Sequence, residues 1–167
     1  MDSIINASLK TLNKSISILE ALSNEQLSDN SISPYYSSVG CHLRHVMDFY
    51  NCLFNGLDNK VIDLTKRERN ELFECHSEIA IRHIQSIKER LLQLKNMDDG
   101  SLITVYDNLG LGKITISYTL GALLSQANSH AIHHYAIVSY ILDRLEIKIE
   151  DKEFGINPST PKNKILN

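Results

Sequence analysis

The sequence predicts an all-α fold, a four-helix bundle with a small β-hairpin before the last helix. Three observations point there. Four segments repeat apolar residues at spacings of three and four, the period of a helix with one buried face. Only seven Gly and three Pro occur in 167 residues, so little interrupts long helices. Two short β-branched runs flank a pair of glycines, the pattern of a hairpin. Helices with one apolar stripe each can hide it only against one another, and a bundle is the compact solution.

The elements follow in order. A first helix is expected over 2–27, with Ile5, Leu9, Leu12, Ile16, Leu19 and Leu22 as its stripe. Residues 28–36 are polar and contain Ser33-Pro34, a loop signal. Ser37 or Ser38 is placed to cap a second helix, whose stripe is Val39, Leu43, Val46, Tyr50, Leu53 and Leu57 and which ends near Asn55-Gly56. Residues 58–74 contain Lys66-Arg67-Glu68-Arg69 and read as a solvated surface loop. A third helix over 77–97 carries Ile81, Ile84, Ile87, Leu91 and Leu94, and Asp98-Asp99-Gly100 breaks it. Residues 102–106 and 113–117 are the hairpin strands. A fourth helix runs from Ser117 to Leu145 through Leu120, Leu124, Ala127, Ala131, His134, Val138 and Ile141. The chain reads as one domain over 1–167, with 146–167 a tail that wraps the surface.

Composition narrows the function. Apolar residues make up 43% and charged residues 22%, the balance of an ordinary globular protein. Seventeen basic against twenty acidic residues argue against a nucleic-acid partner. No apolar run reaches the roughly 20 residues of a membrane span. The start, Met1-Asp2-Ser3-Ile4-Ile5-Asn6, lacks the basic and apolar regions of a signal peptide. Cys41, Cys52 and Cys75 form no CxxC pair, which fits reduced thiols and a cytoplasmic protein, with each cysteine acting as a small apolar residue.

Seven histidines stand out in this composition. His130 and His134 lie one helical turn apart, so both imidazoles share a face and can reach one metal ion. His42 and His45 lie about one turn apart on the second helix. A third imidazole from that helix would complete a three-His site with an open position, the arrangement that holds a catalytic metal. Spacing leaves both candidates open. A helical wheel puts His42 nearer the centre of the apolar stripe and His45 about 60° further round, towards Phe49. His133 points about 100° away from His134. His76 and His83 read as surface or capping residues.

Three segments resemble the DinB/YfiT-like superfamily of four-helix bundles over about residues 1–160. They are Ser38-Val39-Gly40-Cys41-His42-Leu43-Arg44-His45-Val46-Met47-Asp48-Phe49-Tyr50, His130-Ala131-Ile132-His133-His134-Tyr135 and Phe154-Gly155-Ile156-Asn157-Pro158-Ser159-Thr160. In that family a serine opens the second helix and a metal-binding His follows seven residues later. A His-x-x-x-His on the last helix supplies two further ligands. The resemblance therefore implies His45, His130 and His134 as ligands of a divalent metal ion. His42 is the alternate on the second helix, and His133 and Asp48 are positions that could support a ligand. Many members have Arg-Gly-Gln after the last His, where this chain has Tyr135-Ala136-Ile137.

A three-His site with an open position suits Zn, Ni or Fe(II), with Zn and Ni the leading choices. The resemblance implies a small-molecule substrate or low-molecular-weight thiol and allows a thiol S-transferase. The alternative is a hydrolase, which needs a carboxylate near the metal as general base. The fourth helix has no Asp or Glu between Ser117 and Leu142, and the wheel turns Asp48 away from the core. That lack favours thiol transfer. A third reading is a non-catalytic homodimeric binding or stress-response module. A homodimer is expected in each case, since single bundles with an apolar outer edge often pair.

Overall fold

A computed structural model describes residues 1–161. Its elements are α1 (Asp2–Ala21), α2 (Asn24–Ser28), α3 (Val39–Gly56), β1 (Val61–Asp63), α4 (Leu72–Cys75), α5 (Ser77–Gln93), β2 (Leu102–Asn108), β3 (Lys113–Thr119) and α6 (Leu120–Arg144). A 3₁₀ turn, Leu94–Asn96, ends α5. The all-α expectation is overturned. The described residues hold six helices and a three-stranded mixed sheet in the order β1-β2-β3.

The helical layer is built on the apolar stripes. α1 packs on α5 and α6, and α3 packs on α5 and α6. Ile5, Leu12 and Leu19 of α1 are buried with Leu43, Tyr50 and Leu53 of α3, Ile84 and Leu91 of α5, and Leu124, Ala131 and Val138 of α6. Burying such side chains contributes about 1.5–3 kcal/mol each, the main force closing the layer. No helix among the described residues is long and apolar enough to cross a membrane.

The expected first helix is two. Its break lies at Leu22-Ser23, where Ser23 starts α2 with a capping box. Gln26 N donates to Ser23 Oγ at 3.3 Å, and Ser23 N donates to Gln26 Oε1 at 3.0 Å. Each satisfies a donor that a helix start leaves free, so the chain gains by restarting there.

The stretch read as a solvated loop also contains structure. β1 pairs parallel with β2, in the register Val61↔Thr104, Ile62↔Val105 and Asp63↔Tyr106. β2 pairs antiparallel with β3 from Leu102↔Thr119 to Asn108↔Lys113. Ile62 and Leu64 are buried while Val61 is exposed, the period-two alternation of a strand with one covered face. Gly56 lets α3 end directly against this strand, because a Cβ there would stand 2.1 Å from Val61 O. β3 runs straight into α6, whose first turn is capped by Thr119 Oγ1 accepting from Ala122 N at 3.1 Å. The sheet thereby seats β2 and the 64–67 segment beside α3 and α6.

Over its described part the tail lies across α1 and α6. Phe154 is buried and stacks on Tyr135 with ring centroids 4.9 Å apart. Lys14 pairs with Asp151 at 2.7 Å and donates to Glu153 O at 3.0 Å. Residues 162–167 of the expected tail lie outside the described residues.

Candidate metal centre

Capping fixes the two helices that carry the histidines. Ser38 Oγ accepts from Cys41 N at 3.0 Å and starts α3, as Thr119 starts α6. Small residues, Ala127 and Ala131, sit on the buried face of α6 next to His130 and His134 and keep α6 close to α3.

His45 of α3 meets His130 and His134 of α6. Ring centroids are 4.9 Å apart for His45–His130, 4.6 Å for His45–His134 and 4.5 Å for His130–His134. One nitrogen from each ring lies within 4.8 Å of the others, so the cluster could hold one metal ion. The donors fit such an ion. His130 Nε2 is buried and has no hydrogen-bond partner among the described residues, and a buried polar atom left so is costly. Burial, reinforced by Arg67, pushes His45 and His130 down to about 4. Burial and the neighbouring imidazoles push His134 down to about 3. At neutral pH all three rings are uncharged, the form with a lone pair to give.

His42 is half-buried beside them. Its Nδ1 shares a hydrogen bond with His134 Nδ1 at 2.9 Å, and its Nε2 lies 2.8 Å from Ser37 Oγ. His134 Nδ1 is thus taken, and its Nε2 is the nitrogen left for an ion. His133 is exposed, its ring edge-on to His134 at 5.4 Å.

Two readings of single residues are corrected. Asp48 does not face solvent. It is 1% exposed, and Arg44 Nη1 donates to its Oδ2 at 2.6 Å. Arg44 Nε donates to Glu74 Oε1 of α4 at 2.8 Å. The wheel failed because α4 and β1 cover a second face of α3, so a residue off the main stripe is also enclosed. Asp48 therefore pairs with a guanidinium rather than an imidazole. His83 is no surface or capping residue. It stacks on Phe73 at 4.4 Å, and its Nε2 lies 2.9 Å from Asn51 Oδ1. His76 stands at the N-cap position of α5, exposed, with no side-chain cap bond.

Sequence reasoning missed the wall next to the cluster. A cavity of about 110 Å³ opens beside His45 and His130 and is lined by Phe49, Leu64, Arg67, Asp107 and Gln126. Arg67 Nε donates to Leu64 O at 3.2 Å, and Arg67 Nη1 lies 3.2 Å from His45 Nδ1. Gln126 Oε1 is buried with no hydrogen-bond partner among the described residues. Gln126 stands four residues before His130, so helical spacing could have found it. Arg67 and Asp107 carry no such signal, since only the sheet brings them here. The chain matches no protein-family model and no curated protein.

Proposed function

We propose that this protein is a metal-dependent enzyme of the DinB-like kind that binds a divalent ion, Zn or Ni, through His45, His130 and His134 and acts on a small molecule. The observation that carries the reading is the convergence of three imidazoles held neutral, with one buried nitrogen that has no partner among the described residues. A divalent ion there would supply Lewis acidity, lowering the pKa of a thiol or water presented to it. The chain's own residues do the rest. His42 holds His134 in orientation, while Phe49 and Leu64 form the apolar wall that limits water. Arg67, Asp107 and Gln126 supply the polar contacts of a small cavity.

Thiol S-transfer is the reading supported by the family resemblance. A hydrolytic reading gains support from Asp107, which lines the cavity with His130 and supplies a carboxylate, the group a general base needs. A homodimer completes the proposal. A groove lined by Ile32, Pro34, Ile137 and the exposed Tyr35 and Tyr140 offers it an apolar edge. Light scattering showing only monomer at high concentration would reject the dimer.

Untagged protein stripped of metal tests the centre. One equivalent of Zn or Ni should bind and raise the melting temperature, and His134→Ala should abolish both effects. No binding by the wild type sinks the reading. The loaded protein is then assayed with a thiol plus an electrophile and with an ester and amide panel. Asp107→Asn should cut hydrolysis by 10²–10⁴-fold if Asp107 is the base, and leave thiol transfer largely intact.

A further inference from the structure

The contact between Arg67 and His45 cannot coexist with a metal ion on His45. A guanidinium has donors and no lone pair. Arg67 Nη1, 3.2 Å from His45 Nδ1, is therefore hydrogen-bonded only when Nδ1 accepts, which puts the ring proton on Nε2. An ion also needs a lone pair. At Nδ1 it takes the one that Arg67 uses. At Nε2 it drives the ring proton onto Nδ1, where that proton faces the N–H of Arg67. His45 serves the ion or Arg67, never both.

The cavity around Arg67 gives its guanidinium another possible partner than His45. Arg67 has no ion-pair partner among the described residues. It lines the same cavity as Asp107 and Gln126. Asp107 accepts from Asn108 N at 2.8 Å through one oxygen, and Gln126 Oε1 has no partner among the described residues. The lining thus offers guanidinium donors to an anion and acceptors to an O–H or N–H. Phe49 and Leu64 add apolar surface to the same lining.

We infer that Arg67 is the anion-binding residue of this cavity, parked on His45 in the metal-free protein and released to a ligand carboxylate when an ion takes His45. The ligand class is a small carboxylate that also bears a hydroxyl or amino donor. The inference rests on the metal-centre reading above. It makes metal and carboxylate binding cooperative, and linkage requires the coupling to be reciprocal.

The test measures Zn²⁺ affinity by chelator competition in wild type and Arg67→Gln, with and without 3-hydroxypropionate or propionate. Arg67 sits on an exposed surface segment, and a melting curve checks that the variant folds. Without carboxylate, Arg67→Gln should bind Zn²⁺ about ten-fold tighter, the worth of one hydrogen bond to a charged group. Saturating 3-hydroxypropionate should tighten Zn²⁺ binding several-fold in wild type, more than propionate does, and leave the variant nearly unchanged. Nitrogen NMR of the metal-free wild type should show His45 with its proton on Nε2. Unchanged or weaker Zn²⁺ binding by the variant overturns the inference while the metal centre stands. So does equal tightening of both proteins, which would place the carboxylate on the ion alone, or a His45 proton on Nδ1. Absence of Zn²⁺ binding in both proteins removes the centre itself.

Discussion

His42 Nδ1 and His134 Nδ1 stand 2.9 Å apart, so one ring holds the proton that the other accepts. A metal ion on the cluster would select one polarity. With His134 Nε2 as the free lone pair, His134 Nδ1–H donates to His42, and His42 Nε2–H donates to Ser37 Oγ. Replacing His42 with Ala should weaken Zn²⁺ affinity about 10–100-fold, the usual effect of losing a ligand's supporting bond. His134→Ala should abolish binding. Chelator competition checks both. If His42→Ala matches His134→Ala, His42 is itself a ligand.

Acid should destabilise the metal-free protein through the same cluster. In the fold His45 and His130 are held at about 4 and His134 at about 3, against an ordinary 6.5. As pH falls below 6.5 the unfolded chain takes up protons that the folded chain refuses. Stability is thus flat above about pH 6.5 and declines down to about pH 3–4. Urea midpoints at pH 7.5 and pH 5 should differ more for wild type than for a variant with all three residues changed to Asn. Equal declines in the two proteins would remove these histidines as the cause.

The Arg44–Asp48 pair should be strongly coupled. Asp48 is 1% exposed, and its partner guanidinium also reaches Glu74, so the pair ties α3 to α4. Removing Arg44 leaves the buried Asp48 carboxylate unpaired, whereas removing Asp48 leaves Arg44 its bond to Glu74. Arg44→Ala should cost about 3–5 kcal/mol in denaturant unfolding, and Asp48→Ala less. Replacing both residues with apolar ones of similar volume should cost less. A double replacement as harmful as the sum of the singles would show no coupling.

Gly40 should tolerate no side chain. A Cβ there would lie 2.1 Å from Glu74 O, a backbone atom that rotamer change cannot move. Gly40→Ala should therefore lower stability by about 1–3 kcal/mol through overpacking, although alanine favours helices. Thermal unfolding checks the sign, and a rise in melting temperature would show that α4 is free to shift.

Much of this is legible in sequence because periodicity reports burial directly. Leu43, Tyr50, Leu124 and Val138 lie in the core where their three-and-four spacing puts them. The adjacency of His45, His130 and His134 is legible for the same reason, with the resemblance choosing between His42 and His45. The sheet is harder. β1 has three residues, too few for a period to register, and charged neighbours at 66–69 mask Ile62 and Leu64. Asp48 and Arg67 fail differently. Their surroundings come from α4 and from the segment after β1, which no local pattern places against α3. A wheel describes one helix and is silent about what covers its other sides.

Tyr135 follows His134 directly on α6, and it is buried with its hydroxyl bonded to Ser15 and donating to Thr11 O at 3.1 Å. Successive helical side chains are separated by about 100°, so anchoring one fixes the azimuth of the next. The Tyr135 hydroxyl thus pins α6 to α1. The packing of α1 on Tyr135 therefore bears on the aim of His134. A substitution at Ser15 on α1 should then turn His134, a ring with which Ser15 shares no bond, by freeing the tyrosine beside it.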